Sequence, residues 1–304
     1  MAVYEQTYRP YEGKLTPAWS RFLVLPRYAY RSVFASKIFV ALFAVCFIYP
    51  LVASILIYLH HNTNAMAILQ TTVGDLVPID RDFFHNFVFA QAMLGFFLNI
   101  LIGPPLISRD LANNALPLYL CRPFSRAEYV LGKMSVILIL LSMITWIPGL
   151  LLFLFQSYLE GASWFVQNLR IAGAILVGSL IWIFMLALLS LAVSAWVRWR
   201  MAASAALLGI FFIPSAFAGL INNLFDTRWG NLISLRAVIS AVWAGLFGTF
   251  VRQVRDVQEF RNGRVIREVI LTEPPLWGAW TVLLLICLIS LVLLVRKLRA
   301  YEVV

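Results

Sequence analysis

The chain has 304 residues, of which 62% are hydrophobic and 12% charged, and it carries a net charge of +10. With a mean hydropathy of +0.86, a water-soluble fold of this length could not hide its apolar surface, which sets aside a soluble enzyme, a disordered chain and a fibrous protein and leaves a polytopic α-helical membrane protein. The positive charge is accounted for by cations flanking membrane spans beside anionic lipid, so no nucleic-acid partner is expected. Cys46, Cys121 and Cys287 form no CxxC and no close pair, so neither a disulfide framework nor a zinc site is expected.

Residues 1–37 form the first segment, cytoplasmic or interfacial. Trp19, Phe22, Leu23, Leu25, Tyr28 and Tyr30 interleave there with Arg21, Arg27 and Arg31, the composition of a helix lying among lipid headgroups. The apolar run beginning at Ile38 is too long for a signal-peptide core and lacks a small-residue cleavage pattern, so no removable leader is expected. Crossing about 30 Å of hydrocarbon takes roughly 20 apolar residues. Residues 38–224 hold five such runs: Ile38–Leu59, Phe87–Ile107, Ser135–Phe155, Ile171–Val197 and Met201–Leu224. A sixth, Leu276–Val295, lies in the closing segment 276–304 and runs into a basic tail, Arg296-Lys297-Leu298-Arg299.

No Asp, Glu, Lys, Arg or His interrupts the interior of these six runs. A mid-bilayer charge costs about 2.5–3.5 kcal/mol on insertion scales, and ion-coupled carriers commonly display one, so this chain does not read as such a carrier. The interior polar groups are Gln91, Asn99, Ser142, Thr145, Ser179, Ser190 and Ser194. Pro50, Pro104-Pro105, Pro148 and Pro214 interrupt the runs, as membrane helices tolerate. Residues 225–275 form an extracytoplasmic segment. In it Leu232, Leu235, Ile239, Val242, Leu246 and Phe250 keep helical spacing, an amphipathic element suited to lying along or dipping into the membrane. A mixed-charge stretch with an Asn262-Gly263 turn signal follows.

The loop at 108–133 reads SRDLANNALPLYLCRPFSRAEYVLGK. Pro123 ends any preceding helix, and Ser125 with Glu128 three residues on forms a capping-box pattern at the start of the next one. A short helix, a turn and a helix entering the membrane form a connection able to transmit a push. The run Leu118–Lys133, with Leu120, Arg122-Pro123, Ser125-Arg126, Glu128-Tyr129 and Leu131-Gly132-Lys133, resembles the cytoplasmic loop of type-2 ABC exporter permeases. One departure stands out: Asn113-Asn114-Ala115 occupies the place of that family's usual Gly-Thr pair.

The resemblance implies six spans, an interfacial N-terminal helix, a coupling helix in this loop and a re-entrant helix before the last span. It also implies a second permease subunit, of the same or another chain, and a separate ABC ATPase that supplies ATP and Mg²⁺ chemistry. The present chain would carry no cofactor, no metal and no catalytic residue. Carried over by position, Arg109, Asp110, Leu116, Leu118 and Tyr119 would contact the ATPase, and Arg122, Arg126 and Glu128 would fix the loop. The implied location is a prokaryotic inner membrane, multi-pass, with both termini cytoplasmic. Two other classes stay open: a structural or anchoring subunit of a membrane complex, and an intramembrane enzyme. The latter would need a polar constellation at depth. His60, His61 and His85 with Asp75, Asp80 and Asp82 are the nearest approach, and their spacing matches no metal motif.

If residues 232–250 crossed the membrane, the five arginines from Arg252 to Arg267 would move inside and the three C-terminal cations outside, which positive-inside counting alone slightly favours. The shortness of the run, Arg236 near its start and the cations abutting the closing span argue for six spans instead. In a background lacking the three native cysteines, Asn262→Cys should react with a membrane-impermeant thiol reagent in intact cells, and Val304→Cys should be protected. The reverse pattern would establish seven spans.

Overall fold

The computed structural model describes residues 24–62, 78–115, 125–225, 227–249, 252–258, 265–271 and 274–299. Six helical stretches in it are long and apolar enough to cross a membrane: Lys37–His61, Arg81–Ala112, Arg126–Glu160, Leu169–Trp196, Arg200–Phe225 and Leu276–Leu298. The fold is therefore an α-helical membrane bundle.

Helix α1 (Val24–Phe34) packs against the start of the third crossing. Ser36 then caps α2 (Lys37–Val45), accepting from the Phe39 amide. The first crossing breaks at Cys46-Phe47 and resumes as α3 (Ile48–His61). Pro50 causes the break: without an N–H it leaves the Cys46 carbonyl, four residues back, with no helical donor. Gln91 Nε2, from the second crossing, donates to that carbonyl at 3.0 Å.

The second crossing is one long helix, α4 (Arg81–Ala112), capped by Asp80 and containing Pro104 and Pro105. Pro104 orphans the Ile100 carbonyl, and Ser204 Oγ donates to it at 3.1 Å. One turn on, a hydroxyl enters the ladder itself. Ser194 Oγ donates to the Pro104 carbonyl while accepting from the amides of Ile107, at 3.2 Å, and Ser108, at 2.9 Å. Such relays let membrane helices keep proline. Beside this joint Gly103 meets the neighbouring helix so closely that a Cβ there would overlap Ser190 Oγ and lie 3.0 Å from Ser190 Cβ.

The third crossing comprises α5 (Arg126–Ile144) and α6 (Trp146–Glu160), interrupted at Thr145 just ahead of Pro148. After the short α7 (Ala162–Gln167) comes α8 (Leu169–Trp196), the centre of the bundle. Its most apolar window is 72% buried, against 17% for the first and fifth crossings and 28% for the last. Those outer crossings expose Leu51, Ile55, Ile213, Phe217, Leu284 and Leu288, faces suited to lipid or another subunit.

After α9 (Arg200–Phe225) the chain doubles back along the helix it has just left. Asn222 Nδ2 donates to Asn231 Oδ1 at 2.7 Å, and the hydroxyls of Ser215 and Ser234 meet at 2.8 Å. Ser215 precedes Phe225 by ten residues, about 15 Å of helix. From that depth α10 (Leu235–Phe247) returns, capped by Ser234. It ends at Gly248, whose φ of +74° is a left-handed C-cap that favours glycine. There Arg170 donates to the Leu246 and Gly245 carbonyls, both at 3.1 Å, placing a cation at the negative end of the helix. The helix is shorter than the apolar spacing over 232–250 implies, because Ser234 and Gly248 stop it, and a 3₁₀ turn at Trp229–Leu232 precedes it. Strands β1 (Arg252–Gln258) and β2 (Val265–Leu271) pair antiparallel, Arg252 opposite Leu271 and Gln258 opposite Val265. The Asn262-Gly263 turn lies outside the described residues. Helix α11 (Leu276–Arg299) closes the bundle.

Gly103→Ala should lower the thermal midpoint of the detergent-solubilised protein at a cost of about 1–3 kcal/mol, the usual penalty of overpacking. Adding Ser190→Gly should restore part of the loss. An unchanged midpoint in the single variant would mean that α4 and α8 have room to part.

Candidate functional site

The two ends of the bundle differ in charge. Lys37, Arg109, Arg126, Lys133, Arg198, Arg200, Arg296 and Lys297 sit at helix ends on one side, against Asp110 and Glu128. The opposite end carries Arg81, Arg170 and Arg228 with Asp80, Asp82 and Glu160. The loop singled out in the sequence leaves and re-enters the bundle at the basic end, between α4 and α5.

Both edges of that loop are fixed by backbone chemistry. Helix α4 ends with Asn114 at a left-handed φ of 50°. The Ala115 amide reaches the Asp110 carbonyl at 2.8 Å and the Asn114 amide the Leu111 carbonyl at 3.4 Å, the paired bonds of a Schellman stop. Asparagine is among the few residues besides glycine that take this conformation, which accounts for Asn114 where a glycine is usual. Helix α5 starts with the expected capping box: Ser125 Oγ accepts from the Glu128 amide at 3.2 Å, and Glu128 Oε2 accepts from the Ser125 amide at 2.6 Å.

Asp110 joins the two edges. Its Oδ2 accepts from the Tyr129 hydroxyl at 2.7 Å and pairs with Lys133 Nζ at 2.8 Å. The Asp110 and Lys133 side chains are only 15% and 10% exposed, so little water screens the pair. The same ammonium lies 5.6 Å from the centre of the Tyr129 ring. Arg109, one residue earlier, reaches the other way, donating from Nη1 to Ser32 Oγ of α1 at 2.9 Å. Two consecutive residues thus tie the end of α4 to both α5 and α1. A cleft of about 880 Å³ opens beside this clamp, with Ser32, Ser36, Arg109, Asp110, Lys133 and Arg200 among its lining.

Of the residues singled out in the sequence, Arg109 and Asp110 lie in the last turn of α4, bonded to α1 and α5, and Arg126 and Glu128 lie in the first turn of α5. Leu116, Leu118, Tyr119 and Arg122 lie outside the described residues. Tyr129 and Lys133 received no role from sequence. The signal was available: they stand four apart on one helical face, facing the acidic residue that closes the preceding helix. Among the described residues no three of His, Cys, Asp and Glu gather into a metal site. His61 instead meets Glu160 at 3.1 Å, and His85 Nδ1 meets Thr249 Oγ1 at 3.1 Å.

The sequence matches the family described as ABC-2 family transporter protein over residues 31–301, a stretch that includes all six crossings and the whole junction. No curated protein matches it.

Asp110→Asn should destabilise the solubilised protein by about 3–5 kcal/mol, because it strands the buried Lys133 charge. Combining it with Lys133→Met should cost clearly less than the sum of the two single changes. Strict additivity in this double-mutant cycle would show that the pair is not coupled.

Proposed function

The chain belongs to the ABC-2 transporter family and is the membrane permease component of an ABC transporter; from that premise we propose that the Asp110 junction receives a separate ATPase subunit and passes its motion to the membrane helices. The observation that carries this reading is the clamp of Asp110 on Tyr129 and Lys133, which fixes both ends of the 108–133 loop to helices that cross the membrane. A push on that loop is delivered to α4 and α5 together, and through Arg109 to α1.

The basic end faces the cytoplasm by the positive-inside rule, so both termini are cytoplasmic and the loop lies where an ATPase is found. The sequence contains no G-x-x-x-x-G-K-[ST] phosphate loop, so ATP and Mg²⁺ belong to the partner. Helix α1 lies at the inner headgroups, and α10 is a re-entrant element of the outer half. The outer crossings offer apolar faces to a second permease subunit. The direction of transport is export, as the resemblance of the loop implies.

The purified chain alone should hydrolyse no ATP, whereas a complex with its ATPase should. Arg122→Ala combined with Arg126→Ala, or Leu116→Pro, should lower ATPase retention and transport severalfold without reducing membrane insertion. Undiminished ATPase binding and transport in both variants would refute the coupling role.

A further inference from the structure

Arg236 occupies the first turn of α10, at the deep end of that helix. Its guanidinium lies 5.8 Å from the centre of the Phe89 ring, and among the described residues no acidic side chain pairs with it. Phe89 is eight residues into α4 from Arg81, about 12 Å along the helix. A permanent cation is thus held well below the outer surface, where an unpaired charge is costly and marks a functional site by default. The positive end of the α10 dipole adds to the same field.

Arg236 lines a groove with Phe89, Phe96, Trp182, Phe211 and Phe212. Trp182 is only 4% exposed, yet its indole N–H has no acceptor among the described residues. Its neighbour Trp243, 5.9 Å away between ring centres, donates to the Gly178 carbonyl at 3.0 Å. The nearby Ser215 hydroxyl is already committed to Phe211 and Ser234. The groove therefore offers a cation and an unused donor on apolar walls, with no acid to satisfy them. Phe212 is 48% exposed, so the groove opens on the flank of the bundle toward lipid. Its volume is about 40 Å³, well below the ~150 Å³ cavity that takes a benzene ring. An acyl chain therefore rests along the open groove, against the rings of Phe89, Phe96 and Phe212, rather than inside a closed cavity.

We propose that this groove binds a fatty acid from the surrounding membrane, its carboxylate on Arg236 and its chain against the aromatic walls, with the Trp182 N–H as a second donor. Guanidinium and carboxylate form charge-assisted hydrogen bonds, which an alcohol of the same chain length cannot match.

The test is photolabelling of the full chain in lipid nanodiscs with a long-chain fatty acid carrying a diazirine, beside the corresponding alcohol, with labelled peptides read by mass spectrometry. The acid should label peptides containing Phe89–Phe96 and Phe211–Ser215 about tenfold more than the alcohol. Arg236→Gln should bring the acid down to the alcohol's level, and Arg236→Lys should keep part of the preference. Equal labelling by acid and alcohol in the unaltered chain would overturn the proposal. So would full acid labelling of Arg236→Gln, or a shift of that variant from dimer to monomer with the preference intact, which would place Arg236 at a subunit seam. Should Arg236→Gln fail to fold, Trp182→Phe decides: acid labelling should fall severalfold with the alcohol's unchanged, and unaltered acid labelling overturns the site. The test requires no ATPase, so its failure leaves the permease reading standing.

Discussion

Hydrocarbon contains no water, so every backbone amide and carbonyl within it must find its partner inside the protein. An orphaned group costs several kcal/mol there. Helices meet the demand by themselves until a proline removes a donor, and this chain places prolines inside most of its crossings. Much of the tertiary structure answers the deficits. Gln91 bonds the carbonyl that Pro50 abandons, Ser204 the one that Pro104 abandons, and Ser194 threads the turn beyond. The first, second, fourth and fifth crossings are thereby joined by bonds that repair backbone. The same constraint governs the helix that turns back into the bundle: Ser234 serves its deep end, and Arg170 with Gly248 its outer end.

The parts of the fold legible in sequence are those that depend on neighbours along the chain. Six apolar runs and the Ser125–Glu128 capping box follow from local chemistry, whereas the prolines do not by themselves locate breaks: helices are interrupted beside Pro50 and Pro148 but run through Pro104, Pro105 and Pro214. The roles of the polar residues inside the spans did not follow. Gln91 acts on a carbonyl 45 residues away and Ser204 on one 104 residues away, so their partners depend on which helices pack together and at what depth. Of the interior polar groups named from sequence, Gln91, Thr145 and Ser194 each bond a carbonyl in the structure. Arg236 illustrates the converse. The six apolar runs hold no charge in their interiors, yet Arg236 sits on a shorter helix that packs among the crossings. The candidate site was half legible: its capping residues and Asp110 stood out, whereas Tyr129 and Lys133 acquire meaning only when α4 and α5 lie side by side.

The charge asymmetry separates two kinds of chemistry. At the basic end Asp110 gathers partners from α5, and charge there holds helices in fixed relation. Toward the other end Arg170 spends its charge on carbonyls, whereas Arg236 faces aromatic rings with none of its charge answered by an acid among the described residues. A clamp of satisfied charges resists deformation; an unsatisfied cation in an apolar wall selects what approaches it.

The hydroxyl threaded through α4 has a mechanical consequence. Since Ser194 belongs to α8 but closes the ladder of α4, α4 cannot twist about its own axis at Pro104 without turning α8 or surrendering that bond. Gly103 against Ser190 supplies a second tooth one helical turn away along α8, so the two helices mesh like gears. Below this mesh α4 is a short shaft from Pro104 to Ala112, gripped near its end by Asp110. Torque applied at the grip would therefore meet the central helix at two points, the Ser194 bond and the Gly103 contact.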